Sequence, residues 1–321
     1  MSALLDVSGL RVRLPTQGGL ATVVDGVDYA VQPGEIFGVA GESGSGKTVS
    51  MLALMGLLPA GAVVDGRALF AGHDLLRMPR RQLRDVCGRD VGIVFQDPLT
   101  SLHPMLPVGR QLTDHVRRHL GLDRQAAARR AVELLDDVRI PDPEGARHAY
   151  PHQFSGGMRQ RIAIAVALAC GPKLLVADEP TTALDVTVQA GILRLLDRLR
   201  RENELSVVLI THDLGVLSSI ADSVSIFYAG RVVESGTRDE VLQQPRHPYT
   251  RALLDALPHP EAGDLPLVAI AGAPPSVQRR PTGCAFHPRC SYAVDRCSSD
   301  DPPLVMHGDR PLACHVDPFA S

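Results

Sequence analysis

Eight residues, Gly41-Glu42-Ser43-Gly44-Ser45-Gly46-Lys47-Thr48, restrict the fold of this 321-residue chain more than any other stretch. The apolar run Ile36-Phe37-Gly38-Val39-Ala40 precedes them and reads as a buried strand. A helical segment follows, from Val49 to Leu58, closed by Pro59. Strand, glycine-rich loop and helix are the setting that a phosphate-binding loop needs. The glycines let the backbone curl until successive N–H groups face one anion, and the helix N-terminus adds the positive end of its dipole. Lys47 is placed to reach β- and γ-phosphates, and the Thr48 hydroxyl to ligate Mg²⁺. The bland alternative is an ordinary glycine turn, which the flanking strand and helix disfavour.

Bulk properties narrow the rest. A net charge of −3 gives no electrostatic footprint for nucleic acid. No apolar run approaches the ~20 residues that span a bilayer. The longest, Ile162 to Cys170, reads as a buried helix. Met1 to Asp6 lacks the basic and apolar regions of a signal peptide, so a cytosolic protein is expected, docked on a membrane through partners if at all. Four of the six cysteines, Cys284, Cys290, Cys297 and Cys314, crowd the last 38 residues. In a cytosolic chain such a cluster argues for metal before disulfides.

Along the chain, residues 4–34 alternate like strands, with Gly18-Gly19 as a hairpin turn. A second strand pair is expected at Val63-Val64 and Arg67–Phe70, turning on Asp65-Gly66. Val91 to Phe95 reads as a short buried strand ending at Gln96. Helical spacing then takes over, at Val108–Leu120, Arg124–Val138 and Met158–Ala169. Strands return at Leu174–Ala177 and Val207–Ile210, separated by a helix over Val188–Arg201. Alternating strand and helix imply an α/β protein with a covered parallel sheet. After a last αβ unit near Leu257, six prolines between 258 and 281 break any long helix, so 258–321 reads as a small appended module.

Several residues sit where chemistry is done. Functional groups gather beyond the carboxyl ends of parallel strands. The strand Leu174–Ala177 runs into Asp178-Glu179. Asp178 is placed for the Mg²⁺ shell and Glu179 to polarise a water aimed at the γ-phosphate. Gln96 ends a neighbouring strand, within expected reach of metal and water. His212, closing Val207–Ile210, is placed to contact the γ-phosphate and hold Glu179. Ser155-Gly156-Gly157 looks like a second anion cradle, a serine cap with bare helix N–H groups. Each has a plainer reading: a solvated strand end, a surface glutamine, a structural histidine, a capped helix. Two cradles and one lysine suggest a head-to-tail pair of chains, each completing the other's site.

In this order the motifs resemble those of ATP-binding cassette (ABC) ATPases. The resemblance rests on 41–48, Gln96, Phe154-Ser155-Gly156-Gly157-Met158-Arg159-Gln160-Arg161, Asp178-Glu179, Ala183-Leu184-Asp185 and His212. It covers residues 4 to about 257. It implies a P-loop NTPase fold with a RecA-like core, an antiparallel β subdomain and a helical subdomain at about 97–170 that receives coupling helices from membrane subunits. By that resemblance Ser155, Gly156 and Gly157 bind ATP held by the partner subunit, and Asp185 lies in a loop communicating across the dimer. One departure stands out. Relatives stack adenine on an aromatic residue in the first hairpin, where this chain has Leu14, which offers no π-face.

The tail narrows the likeness to ATPases of oligopeptide and dipeptide importers. It does so through Gln244-Pro245-Arg246-His247-Pro248-Tyr249-Thr250, Ala271-Gly272-Ala273-Pro274-Pro275-Ser276 and Gly283-Cys284-Ala285-Phe286-His287-Pro288-Arg289-Cys290. Relatives with this tail carry a 4Fe–4S cluster, and the resemblance assigns one to Cys284, Cys290, Cys297 and Cys314. Four thiolates also suit Zn²⁺, although zinc sites favour cysteine pairs two residues apart and none is present. The resemblance further implies the D-type member of a D/F pair and therefore a homologous F-type ATPase partner. It also implies two transmembrane permease subunits, an extracytoplasmic substrate-binding protein, and a peripheral place on the cytoplasmic face of the inner membrane. Two readings compete with it. One is a soluble ABC ATPase whose iron–sulfur or zinc module acts on nucleic acid or ribosomes. The other is an ATP-regulated sensor of iron or oxygen.

Overall fold

In the computed structural model, described for residues 2–182, 184–257, 269–277, 279–308 and 310–319, the strands alternate with helices through most of the chain. The strands are β1 Leu5–Thr16, β2 Gly19–Val31, β3 Ile36–Ala40, β4 Val63–Phe70, β5 His73–Asp74, β6 Val91–Val94, β7 Leu174–Asp178, β8 Ser206–Ile210, β9 Ser223–Tyr228, β10 Arg231–Thr237, β11 Val305–His307 and β12 Arg310–Leu312. The helices are α1 Lys47–Leu54, α2 Arg80–Arg89, α3 Pro98–Ser101, α4 Val108–Leu120, α5 Arg124–Asp137, α6 Pro143–Ala146, α7 Gly156–Leu168, α8 Val186–Asn203, α9 Leu214–Ile220, α10 Arg238–Gln243, α11 Pro248–Asp255 and α12 Asp295–Ser299. Two compact units emerge: Met1–Gln32 with Ile36–Arg77 and Ile210–Ser321, and Pro33–Glu35 with Met78–Leu209.

In the first unit β3 is buried at every position, as a strand covered on both faces must be. It pairs in parallel with β9, Val39 opposite Ser225. The run continues antiparallel through β10 and β12 to β11. A separate antiparallel sheet has the order β2-β1-β4-β5. The hairpin expected at Asp65-Gly66 is absent, because β4 runs straight through and pairs with β1. Gly66 has φ +108°, and a Cβ there would lie 2.6 Å from the Gly9 carbonyl oxygen. Gly66 makes no turn: it stands opposite a bulge that Gly9 and Leu10 form in β1, where a side chain would strike the Gly9 backbone. Helix α1 stops at Leu54, short of the expected Leu58. Gly56 turns left-handed and the Gly56 and Leu57 N–H groups close onto Ala53 and Leu52 carbonyls.

The prolines of the tail conceal two short strands, with Glu234 of β10 opposite Leu312 of β12. Polar anchors fasten this segment. Arg280 and Asp301 join Arg231 and Asp25 in a ring of ion pairs 2.6–3.3 Å long. Burial raises the Asp25 pKa, but the Arg231, Arg280 and Arg11 guanidiniums outweigh it and hold the carboxyl below its ordinary value. Glu234 is fully buried and accepts from the Arg246 and His247 N–H groups, with Arg310 at 3.6 Å. Burial holds its pKa above the ordinary value despite those donors. The expected boundary at 257/258 abuts residues 258–268, which lie outside those described, as does Ala183.

In the second unit β6 pairs in parallel with β7, Val91 opposite Leu174 through Val94 opposite Ala177, and β8 lies on the far side of β7. Helices α4, α5 and α7 bring Leu112, Val116, Ala131, Leu134, Leu135, Val138, Ile162 and Ile164 into one apolar core. Among the described residues no helix is long and apolar enough to cross a membrane.

Glu234→Ala strands two buried backbone donors and removes the carboxylate beside Arg310, which keeps the Glu240 and Gln244 carbonyls. It should lower unfolding free energy by about 3–5 kcal/mol in urea titrations, and Glu234→Gln by clearly less.

Candidate functional site

The first unit places the glycine-rich loop 41–48 between β3 and α1. Gly41 has φ +145°, and a Cβ there would stand 2.1 Å from the Phe227 carbonyl oxygen. Gly46 precedes α1 at φ +100°, where a Cβ would approach the Val23 carbonyl oxygen at 3.0 Å. Neither position admits a side chain. The Lys47 side chain is buried, and its ammonium donates to the Gly41 and Glu42 carbonyls at 2.7 and 2.9 Å and to Ser45 Oγ at 3.4 Å. The lysine thus folds back over its own loop, with Ser43 and Gly44 exposed at the tip. Thr48 is half-buried in the first turn of α1.

The loop has two holders that the sequence did not reveal. The Glu42 N–H donates to Tyr249 Oη at 2.9 Å, and the Glu42 carboxylate accepts both arms of the Arg289 guanidinium at 2.7 and 3.0 Å. His212 lies just past β8, exposed; beside it Asp213 caps α9 through the Gly215 and Val216 N–H groups.

In the second unit the parallel pairing of β6 with β7 brings Gln96 to Glu179. Gln96 Nε2 and Thr182 Oγ1 each donate to Glu179 Oε2 at 2.9 Å. Glu179 takes φ +47° immediately before Pro180, a strained backbone for a side-chain-bearing residue. Such strain persists where surrounding structure over-determines it, commonly at functional positions. Asp178 ends β7 with a buried carboxyl. Ser155 caps α7 by accepting from the Met158 N–H, and Asp185 caps α8 by accepting from Val188 N–H. The two glycines after Ser155 differ. A Cβ at Gly157 would meet Val188 Cγ1 at 2.6 Å, whereas one at Gly156 would find ordinary contact with Leu184 at 3.6 Å. Leu14 lies in β1, half-buried opposite Ala21.

The tail gathers Cys284, Cys290, Cys297 and Cys314 around one pocket, with His247, Phe286 and Tyr292 among its walls. All four are free thiols. Burial pushes Cys284 up to about 11, and Cys290 and Cys314 also rise, chiefly by desolvation. Among the described residues no group of three His, Cys, Asp or Glu side chains closes on a single ion.

A scaffold that turns its tightest glycine loop around a buried lysine, and strains a strand-end glutamate beneath a glutamine, is that of an ATP-binding cassette ATPase. The comparisons agree. The ABC transporter family profile matches residues 24–182, and that of the oligopeptide/dipeptide transporter C-terminal region matches 233–297. The dipeptide transport ATP-binding protein DppD of Escherichia coli is 46% identical over 98% of this chain and 96% of that protein. The oligopeptide transport ATP-binding protein OppD of Haemophilus influenzae is 46% identical over 92% of each. Among solved structures, an ATP-binding cassette in a dimeric post-hydrolysis state, bound to ADP and Pi, superposes with a TM-score of 0.65. It shares 24% identity and covers 73% of this chain and 98% of that one, which supports the fold. The chain belongs to the ABC transporter family, among the oligopeptide and dipeptide transport ATP-binding proteins.

Gly41→Ala drives a methyl group into a core-strand carbonyl at a backbone angle that alanine avoids. It should weaken nucleotide binding by at least about tenfold, since loop N–H groups and Lys47 lose their common focus; equilibrium titration with a fluorescent ATP analogue measures this.

Proposed function

We propose that this chain is the ATP-hydrolysing subunit of a membrane importer for peptides or similar small solutes, acting by ATP-driven closure on a homologous ATPase. The observation that carries the reading is Glu179, strained in backbone and held by Gln96 and Thr182 at the end of a buried strand, in a chain that also carries the loop 41–48. Names of the relatives, which are ATP-binding proteins of oligopeptide and dipeptide transport, support the cargo class. They do not favour an ATPase acting on nucleic acid or ribosomes.

Within this reading, residues Gly41 to Thr48 cradle the triphosphate, and Lys47 exchanges its loop carbonyls for β- and γ-phosphate oxygens. Thr48, Gln96 and Asp178 offer the hard oxygen donors that suit Mg²⁺, which supplies charge neutralisation for the phosphates. Glu179 takes the proton of the attacking water, with Gln96 and Thr182 fixing the carboxylate until nucleotide arrives. His212 contacts the γ-phosphate. Ser155, Gly156 and Gly157 contact ATP held by the partner chain, and Asp185 lies near that junction. We assign 1–257 to the ATP-binding domain, with 97–170 as the lobe facing the permease subunits, and 258–321 to a C-terminal module. An F-type homologue, two permease subunits and a substrate-binding protein complete the system, with this chain peripheral on the cytoplasmic face of the inner membrane.

The thiol pocket fits a 4Fe–4S cluster by its donor set. Four thiols line one pocket, the donor set that such a cluster takes. Cys284, Cys290, Cys297 and Cys314 would hold it, as a staple for the proline-rich module.

Glu179→Gln should retain ATP yet lose turnover by about 10²–10⁴-fold in steady-state assays. Normal turnover in that variant would remove Glu179 as the base. Co-purification with two polytopic subunits tests the importer reading, and a chain isolated from membranes without them contradicts it. Anaerobic Cys290→Ser should lose visible absorbance and iron while keeping ATP binding; stoichiometric zinc without iron in the parent protein overturns the cluster.

A further inference from the structure

Arg289 connects two sites that no function assigned so far joins. It ends the short turn His287–Arg289 between Cys284 and Cys290, held by the His287 N–H on the Cys284 carbonyl and the Cys290 N–H on the His287 carbonyl. Its side chain is only 5% exposed. The guanidinium nitrogens give two arms to the Glu42 carboxylate, one contact to Tyr228 Oη at 3.3 Å and one, from Nε, to the Ala271 carbonyl at 2.9 Å. The planar group also lies 5.9 Å from the Tyr228 and Phe286 ring centres. A guanidinium so saturated is fixed in place, and a fork-to-fork pair is among the stronger polar contacts available.

What it fixes is a member of the phosphate loop. Glu42 is gripped at three points: its N–H by Tyr249 Oη, its carbonyl by Lys47 Nζ, and its carboxylate by Arg289. Phe286 stacks edgewise on Tyr228 and packs on Tyr249, and the same ring walls the four-thiol pocket. The turn that bears Cys290 therefore bears on Glu42 through one guanidinium and three buried rings. A filled pocket holds that turn through its cysteines; an empty one leaves it to its backbone bonds.

We propose that Arg289 is a positioning residue for the phosphate loop, and that through it the state of the thiol pocket sets affinity for ATP. The coupling rests on reading 41–48 as the ATP site, and only the iron arm of its test rests on the cysteines as cluster ligands. Because coupling between binding free energies is reciprocal, bound ATP must also alter the affinity of the pocket for the group it holds.

The test uses the full-length chain purified anaerobically, with a fluorescent ATP analogue as probe. Arg289→Ala and Glu42→Ala should each weaken binding about tenfold, as loss of a bidentate charged pair predicts. The double variant should bind no more weakly than Glu42→Ala alone, because both changes break one link. Arg289→Lys, which keeps charge and loses the fork, should fall between. In turnover, KM for ATP should rise with affinity loss while kcat falls less than threefold. Arg289→Ala within twofold of the parent overturns the positioning role, as do losses that multiply in the double variant. For the reciprocal arm, Mg-ATP should raise at least threefold the chelator concentration that removes half the iron at equilibrium in the parent and not in Arg289→Ala; an unchanged concentration overturns the coupling. A parent that lacks iron removes the cluster reading but not this one. Alkylation of the thiols by N-ethylmaleimide then replaces the iron arm: it should shift analogue affinity at least threefold in the parent and not in Arg289→Ala, and an unchanged affinity in the parent overturns the coupling.

Discussion

A buried ammonium must be surrounded by oxygen or lose several kcal/mol of solvation, and Lys47 is a buried lysine. The loop meets that demand with the Gly41 and Glu42 carbonyls and Ser45 Oγ, all within six residues of the lysine. Bringing those oxygens round requires backbone angles that side chains forbid, hence Gly41 at φ +145° and Gly46 at φ +100°. The curl in turn needs a rigid base. Strand β3 supplies it from beneath and β9 from beside, its Phe227 carbonyl filling the space that a Cβ at position 41 would occupy. Burial of one charge thus dictates the glycines, and the glycines dictate the close approach of the neighbouring strand.

How far this was legible follows from distance along the chain. The strand, loop and helix around Lys47 lie within 19 residues, and local chemistry sufficed to place them. The ends of α4 matched their helical spacing to the residue, and Arg124 starts α5 as expected, since periodic burial repeats the signal several times. The Glu179–Gln96 contact spans 83 residues and was reachable, because parallel strands deliver their ends to one place. Arg289 to Glu42 spans 247 residues, and no strand periodicity connects them. Its only trace was an arginine beside a cysteine in a proline-rich tail. Gly66 misled for another reason: a glycine facing a bulge in its partner strand and a glycine in a hairpin turn can share a positive φ, and only the partner strand tells them apart.

The tail stays attached through directional contacts. Its fastenings are charged and aromatic: Arg280 and Asp301 in a four-membered ion ring, Arg310 against buried Glu234, Phe286 among Tyr228 and Tyr249. Arg246 adds a contact to the Asp317 carboxylate and another to the His307 carbonyl at 2.7 Å. Charged contacts are directional where apolar ones are not, so they locate the segment accurately. Accurate placement is what a set of four thiols from three separate stretches of chain demands, because a metal group tolerates small errors in ligand position poorly.

The glycines of the second cradle can be sorted by what excludes their side chains. Gly157 has an internal reason, since Val188 of α8 would lie 2.6 Å from its Cβ, and no ligand need be invoked. Gly156 has none: its φ is unexceptional and a Cβ would find only ordinary contact with Leu184 at 3.6 Å. A helix start that omits a side chain its own fold would accept is open to close approach from outside. Ser155 caps the same turn through the Met158 N–H. A bare, dipole-positive helix terminus that a triphosphate could approach to van der Waals contact is what the proposed reading requires of this position, and a helix needed only for packing would carry alanine there at lower conformational cost.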